Sequence, residues 1–220
     1  MKRCMEVEME NAYKVALEKN PVISVMVTPG HFSTGSYHSN YYLDVSRLKS
    51  NAMVARDVAR ELALPYYTSA LVDTIVCMEN TKVIGAFLAD ELLQEGTAVM
   101  NSGGEIRVIT PMHSIEKKLI FYDNELEWIT NRNIIVLTAA VSSGQTLRNT
   151  LECLLYYNGI VSGISTLFLY TGAKLDVEIN TLFTSDDIPG YKVLPAGKCG
   201  MCLTGEKLDA LISSEGYKKI

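Results

Sequence analysis

Residues 134–146 read IIVLTAAVSSGQT, and this stretch decides the fold. Ile134, Ile135, Val136 and Leu137 form an apolar run of the length and branching expected for a buried strand. Ser142, Ser143, Gly144, Gln145 and Thr146 follow as a turn of small and hydroxyl-bearing residues. From Thr146 to Tyr157 the apolar positions Leu147, Leu151, Leu154 and Leu155 recur at helical spacing. A strand, a small-residue turn and a helix start make an anion cradle: unpaired N–H groups and the positive end of the helix dipole face one spot. The expected anion is a phosphate monoester. No Lys follows Gly144 as a P-loop requires, and one Gly is too few for a dinucleotide fingerprint. An ordinary βα turn capped by hydroxyls is the plainer alternative.

A second segment, residues 30–45, reads GHFSTGSYHSNYYLDV. Together the two segments resemble the type I phosphoribosyltransferases, and most closely the orotate branch of that family. Gly30, Phe32, Gly35, Ser39, Tyr41 and Tyr42 match an N-terminal motif of the family. Ser142, Ser143, Gly144 and Thr146 match its phosphate turn, with Gln145 where a second Gly is usual. Between them, residues 73–86, DTIVCMENTKVIGA, resemble its pyrophosphate loop. The three blocks keep family order over roughly residues 20–205.

The resemblance implies an α/β fold with a mostly parallel central sheet flanked by helices and a small N-terminal hood. The expected division is an N-terminal helix and hood over 1–45, a core over 46–205 and a tail over 206–220. It also implies transfer of phosphoribose from phosphoribosyl pyrophosphate (PRPP) to a pyrimidine-type base, with Mg²⁺ as cofactor and a homodimer as the working unit. Ser142, Ser143, Gly144, Gln145 and Thr146 would hold the 5′-phosphate. Thr138 and Ala139 fall at the ribose position, Glu79, Asn80, Thr81 and Lys82 in the pyrophosphate loop, and His113, Lys117 and Lys118 on a mobile loop. Tyr41 or Tyr42 would meet the base. Adjacent strand residues face opposite ways, so only one of the two tyrosines can do so.

Three departures bear on chemistry. Where the family places two adjacent carboxylates on the ribose hydroxyls, this chain has Thr138 and Ala139. The glycines of the pyrophosphate loop are replaced by Thr81 and Lys82. The cationic run of the mobile loop is scrambled around His113. The phosphate cradle is kept and the PRPP-specific parts are eroded. A non-catalytic nucleotide or sugar-phosphate binding protein is therefore the competing reading.

Composition narrows the partners. The chain has 220 residues and a net charge of −5, enough for one α/β core. It carries no basic run for a nucleic-acid backbone. No apolar run reaches the length of a membrane span, and a cytoplasmic location is expected. The five cysteines are Cys4, Cys77, Cys153, Cys199 and Cys202, an odd set expected to be reduced.

His31, His38 and His113 are scattered, and no metal site is expected. Cys199 and Cys202 form a single CxxC, followed by Gly205 as in some bacterial members of the resembled family. It reads as a structural tail motif; a metal shared across a dimer or a redox role ranks below that. The Asp186-Asp187 pair precedes Ile188-Pro189-Gly190 and reads as a turn.

Remaining elements follow from pattern. Residues 5–19 are predicted helical, 22–28 a strand, 30–39 a polar loop and 41–45 a returning strand. A helix is expected over 46–64, with Leu48, Val54, Val58 and Leu62 inward. Another is expected over 80–95, with Val83, Phe87, Leu88 and Leu92 inward. Strands are expected at 74–78, 98–100, 107–110, 119–122, 160–170 and 181–184.

Overall fold

The computed structural model describes residues 11–94, 100–113, 119–173, 175–214 and 216–220. Two sheets organise it. The hood sheet starts with β1 (Tyr13–Leu17), β2 (Asn20–Ser33) and β3 (Tyr37–Asp44). Helices α1 (Ser46–Ser50) and α2 (Ala52–Ala63) lead to β4 (Thr74–Cys77), α3 (Lys82–Leu93) and β5 (Arg107–Ile109). A short antiparallel pair, β6 (Met112–His113) and β7 (Leu119–Ile120), precedes β8 (Asn133–Val141). Then come α4 (Gln145–Tyr156), β9 (Ile160–Leu169) and β10 (Asn180–Thr184). The chain closes with β11 (Val193–Pro195), α5 (Gly200–Leu203), β12 (Ala210–Ser213) and β13 (Gly216–Lys219).

The core sheet runs β10-β9-β8-β4-β5, every pairing parallel. The decisive stretch is central: β8 pairs with β9 on one side and β4 on the other. Alternation along β8 feeds both faces. Ile135, Leu137 and Ala139 pack with Val58 and Leu62 of α2 and Ile84 and Leu88 of α3. Ile134 and Val136 pack with Leu147 and Leu154 of α4. A parallel sheet covered on both faces needs such runs. No helix among the described residues is long and apolar enough to cross a membrane.

Several elements differ from their sequence expectation. Within 5–19, residues 13–17 form a strand, since Tyr13, Val15 and Leu17 alternate and pair antiparallel with β2; residues 1–10 lie outside the described ones. The expected polar loop over 30–39 is largely strand, because β2 runs on to Ser33 and β3 begins at Tyr37. The helix over 46–64 is broken at Asn51, whose side chain accepts hydrogen bonds from the N–H groups of Met53 and Val54 and so caps α2. In α3 the inward set is Ile84, Leu88 and Leu92; Val83 is exposed, and Phe87 lies under the Arg56 guanidinium at 4.9 Å. Leu155 of α4 points outward, 75% exposed. Met100 lies in a turn and β5 pairs with β4; residues 98 and 99 lie outside the described ones. Residues 206–220 are no separate tail, since β12 and β13 extend the hood sheet, β12 lying parallel to β2.

Helix α3 comes close to β4 through Gly85, where a β carbon would stand 2.3 Å from Cys77 Sγ and 3.2 Å from Val108 Cγ1. Burial pushes the Cys77 thiol up to about 12, so it stays neutral and packs as a small apolar group. Ala normally stabilises a helix by about 1 kcal/mol over Gly. Overpacking costs about 1–3 kcal/mol, and at 2.3 Å it wins. Gly85→Ala should lower the chemical-denaturation midpoint, and adding Cys77→Ala should restore part of it. A Gly85→Ala variant more stable than wild type would refute this packing.

Candidate phosphate and ribose site

In the core sheet the chain moves outward from β4 to β5, then returns to lay β8 on the other side of β4. Strand order reverses there, and the crevice at the strand C-termini is where an open α/β sheet binds its ligand. The pairing of β4 with β8 ends at Cys77 and Leu137, but β8 continues to Val141. Its last residues therefore lack a strand on the β4 side.

Glu79 fills that gap from across the crevice. Its Oε2 accepts from Thr138 Oγ1 at 2.8 Å and from the N–H groups of Ala139 and Ala140, both at 3.1 Å. The turn that delivers it has two consecutive residues in the left-handed region, Glu79 at φ 51° and Asn80 at φ 62°, a strained arrangement for non-glycine residues. Thr81 anchors the turn, its hydroxyl donating to the carbonyls of Met78 and Leu137. Lys49 Nζ donates to the carbonyls of Glu79 and Ser214, at 3.1 and 3.0 Å, and so joins α1, the turn and the hood.

The phosphate turn lies at the other end of the cleft. Gly144 sits at φ 75° as the N-cap of α4, and no side chain caps the helix. The first-turn N–H groups are thus left to a ligand or water. Gln145 N–H lies 3.4 Å from Ser143 Oγ, a long contact. Arg148 Nη2 donates to the Ser143 carbonyl at 2.8 Å and puts a positive charge beside the turn. Tyr191 lies beside Ser142; burial pushes its hydroxyl up, and the Ser142 hydroxyl pulls it back partly.

The cleft is about 280 Å³ and brings together Ser142–Thr146, Glu79, Ala139, Lys49 and, from the hood, Tyr37 and Tyr42. Thr138 reaches it through its bond to Glu79. Of the pyrophosphate-loop residues only Glu79 lines it; Asn80, Thr81 and Lys82 do not, Thr81 being buried and Lys82 exposed. The two tyrosines part as strand alternation requires. Tyr42 lines the cleft and packs on Tyr217, ring centroids 5.0 Å apart. Tyr41 stacks on Tyr191 at 6.1 Å and donates to the Pro189 carbonyl. Burial first, then Asp44 and Tyr217, push the Tyr42 hydroxyl up to about 12, so it remains a neutral donor. Lys117, Lys118 and the side chain of His113 lie outside the described residues.

Sequence reasoning missed Lys49 and the position of Glu79. It also took the histidines as scattered and expected no metal ligands. The fold brings two of these histidines together, His31 and His38, and they meet Cys199 and Cys202.

Comparison with known proteins supports the fold. No family model matches the chain, and no curated protein matches it. Among solved structures it is similar to UMP synthase from Leishmania donovani, with 23% identity and a TM-score of 0.52. That match covers 72% of this chain and 33% of the other, so the chain spans about a third of that protein. Orotate phosphoribosyltransferase from Mycobacterium tuberculosis matches at 11% identity and a TM-score of 0.51, covering 73% of this chain and 90% of the other. Adenine phosphoribosyltransferase from Thermoanaerobacter pseudethanolicus matches at 12% identity and a TM-score of 0.50, covering 79% and 95%. The architecture is that of the type I phosphoribosyltransferases, a parallel sheet flanked by helices.

Proposed function

We propose that this chain binds a phosphoribosyl compound, a pyrimidine nucleoside 5′-monophosphate or PRPP, and that transfer from PRPP to orotate is weak or absent. The 5′-phosphate lies in the Ser142–Thr146 turn, the ribose hydroxyls at Glu79 beside Thr138 and Ala139, and the base beneath Tyr42. One observation carries the reading: the uncapped start of α4 opens into the same cleft as the Glu79 carboxylate. A helix start that takes an anion and a carboxylate that accepts from hydroxyls match the two ends of a ribose 5-phosphate.

The weak-transfer part rests on the strand end. Thr138 and Ala139 supply no charge to stabilise positive character on the sugar, and such electrostatic contacts carry about 10²–10³-fold in rate each. Any Mg²⁺ in the cleft would be held by one carboxylate and the substrate phosphates. Among its described lining residues Glu79 is the one carboxylate, and its Oε2 already accepts three hydrogen bonds. Magnesium sites take one or two carboxylates along with substrate phosphates.

Thermal shift with ligand panels tests the binding. Uridine and orotidine 5′-monophosphates should stabilise the chain, by about 2.7 kcal/mol at a hundredfold excess over the dissociation constant. Uridine without its phosphate should not. Equal shifts from both would sink the phosphate assignment. Pyrophosphate release from PRPP and orotate tests the second half, and robust turnover would overturn it.

A further inference from the structure

Four potential ligand atoms from distant parts of the chain converge at the hood. They are His31 Nε2 on β2, His38 Nδ1 on β3, and the sulfurs of Cys199 and Cys202 flanking the start of α5; all lie within 4.8 Å of one another. His31 Nε2 stands 3.0 Å from His38 Nδ1, 3.5 Å from Cys199 Sγ and 3.6 Å from Cys202 Sγ. Cys202 Sγ is 3.2 Å from His38 Nδ1. His31, His38 and Cys199 are buried, and Cys202 opens to solvent.

These separations match four of the six edges of a zinc tetrahedron. Zinc binds thiolate sulfur at about 2.3 Å and imidazole nitrogen at about 2.0–2.1 Å. Tetrahedral angles then give edges of about 3.3 Å between two nitrogens and about 3.6 Å between nitrogen and sulfur. The N···N edge here is 3.0 Å and three of the four N···S edges span 3.2–3.6 Å.

The hydrogen-bond inventory points the same way. His31 Nδ1–H donates to the Glu206 carbonyl at 3.1 Å. A carbonyl can only accept, so a neutral His31 ring carries its proton on Nδ1 and a bare lone pair on Nε2, the tautomer that a second-shell bond fixes in metal-ligating histidines. That one lone pair faces His38 Nδ1 and two sulfurs, yet it can accept one good hydrogen bond. If His38 donates to it, both thiols are left poorly placed. If Cys199 donates to it instead, and Cys202 to His38, two lone pairs oppose each other at 3.0 Å. A cation at the centre satisfies all four.

We propose that His31, His38, Cys199 and Cys202 bind one structural Zn²⁺ within a single chain. Two thiolates and two imidazoles in a closed tetrahedron favour zinc over the harder divalent ions. Binding releases the two thiol protons to solvent and involves no change of oxidation state. The ion clasps the β2–β3 hairpin to the segment that leads into β12. The hairpin tip between the two histidines carries Thr34 and Tyr37, which line the cleft, so the clasp fixes the hood wall. This inference does not depend on what the cleft binds.

The full chain, purified under reducing conditions with zinc present and then desalted, should carry one zinc per chain by inductively coupled plasma mass spectrometry. Cobalt(II) in its place should show tetrahedral d–d absorption with thiolate-to-metal charge transfer. A strong chelator should lower the melting temperature by about 5 °C or more, reversibly. Cys202→Ser changes an exposed position and should fold, yet bind metal at least about 100-fold more weakly; Cys153→Ser should bind as wild type does. Absence of stoichiometric metal in the folded protein overturns the proposal. So does unweakened binding in Cys202→Ser, or a Cys199–Cys202 disulfide as the resident form.

Discussion

Gly144→Asp is expected to weaken binding of uridine 5′-monophosphate about 100-fold, while Gly144→Asn weakens it less than about 5-fold. The pair separates charge from strain. Both residues tolerate the left-handed region better than other L-residues do, so each can take up the φ of 75° at this N-cap. Both place a β carbon 2.6 Å from Leu175 Cδ2, the end of a flexible side chain. The steric cost is therefore shared, and only Asp adds a negative charge where the phosphate should lie. Like charges brought together at a binding site cost several kcal/mol, and each 1.4 kcal/mol is a factor of ten. Isothermal titration on both folded variants reads the ratio. Equal affinities for Asp and Asn would mean that no anion sits in this turn.

Glu79→Gln should weaken uridine 5′-monophosphate about 10–100-fold and leave affinity for inorganic phosphate unchanged. The carboxylate is assigned to the ribose, and a charge-assisted hydrogen bond is worth about 1.5–3 kcal/mol. The same substitution leaves a neutral acceptor facing Thr138, Ala139 and Ala140, so it should cost only about 1–2 kcal/mol of stability. Restoring acids on β8 should not help. Ala139 packs in the main core with Ile135 and Leu137, so Ala139→Asp would bury a charge. Thr138→Glu would set a second carboxylate against Glu79. The double variant Thr138→Glu with Ala139→Asp should lose stability and gain no pyrophosphate release. Equal loss of phosphate and nucleotide binding in Glu79→Gln would refute the ribose assignment, and a gain of turnover in the double variant would refute Glu79 as the carboxylate of this site.

The core was legible because its signals are local. The apolar run of β8, the small-residue turn and the periodicity of α4 lie within two dozen residues. The period-2 alternation of Tyr13, Val15 and Leu17 is also local, but three positions are too few to set a strand apart from the helix expected over 5–19. Asn51 carried its own capping signal, and breaking the helix there needed only that residue. Glu79 was legible as a residue but not as a position. Its role comes from β8 outrunning β4, a register fact that no single segment contains. The histidines and cysteines were harder still. His31 and His38 are seven residues apart, yet His31 meets Cys199 across a separation of 168, and only the tertiary fold closes that distance.

The parallel pairing of β12 with β2 also bears on the order of folding. Asp209 accepts from the His31 N–H at a sequence separation of 178 residues, and its own N–H returns to the His31 carbonyl at 2.8 Å. Closing a loop of that length costs configurational entropy before any contact repays it, and such non-local pairing is slow. In the core sheet β–α–β steps join β4 to β5 and β8 to β9, and the β4–β8 pairing, Thr74 with Ile134, spans 60 residues, a third of the β2–β12 separation. In refolding, amide protection should therefore appear in β4 and β8 well before it appears where β2 meets β12.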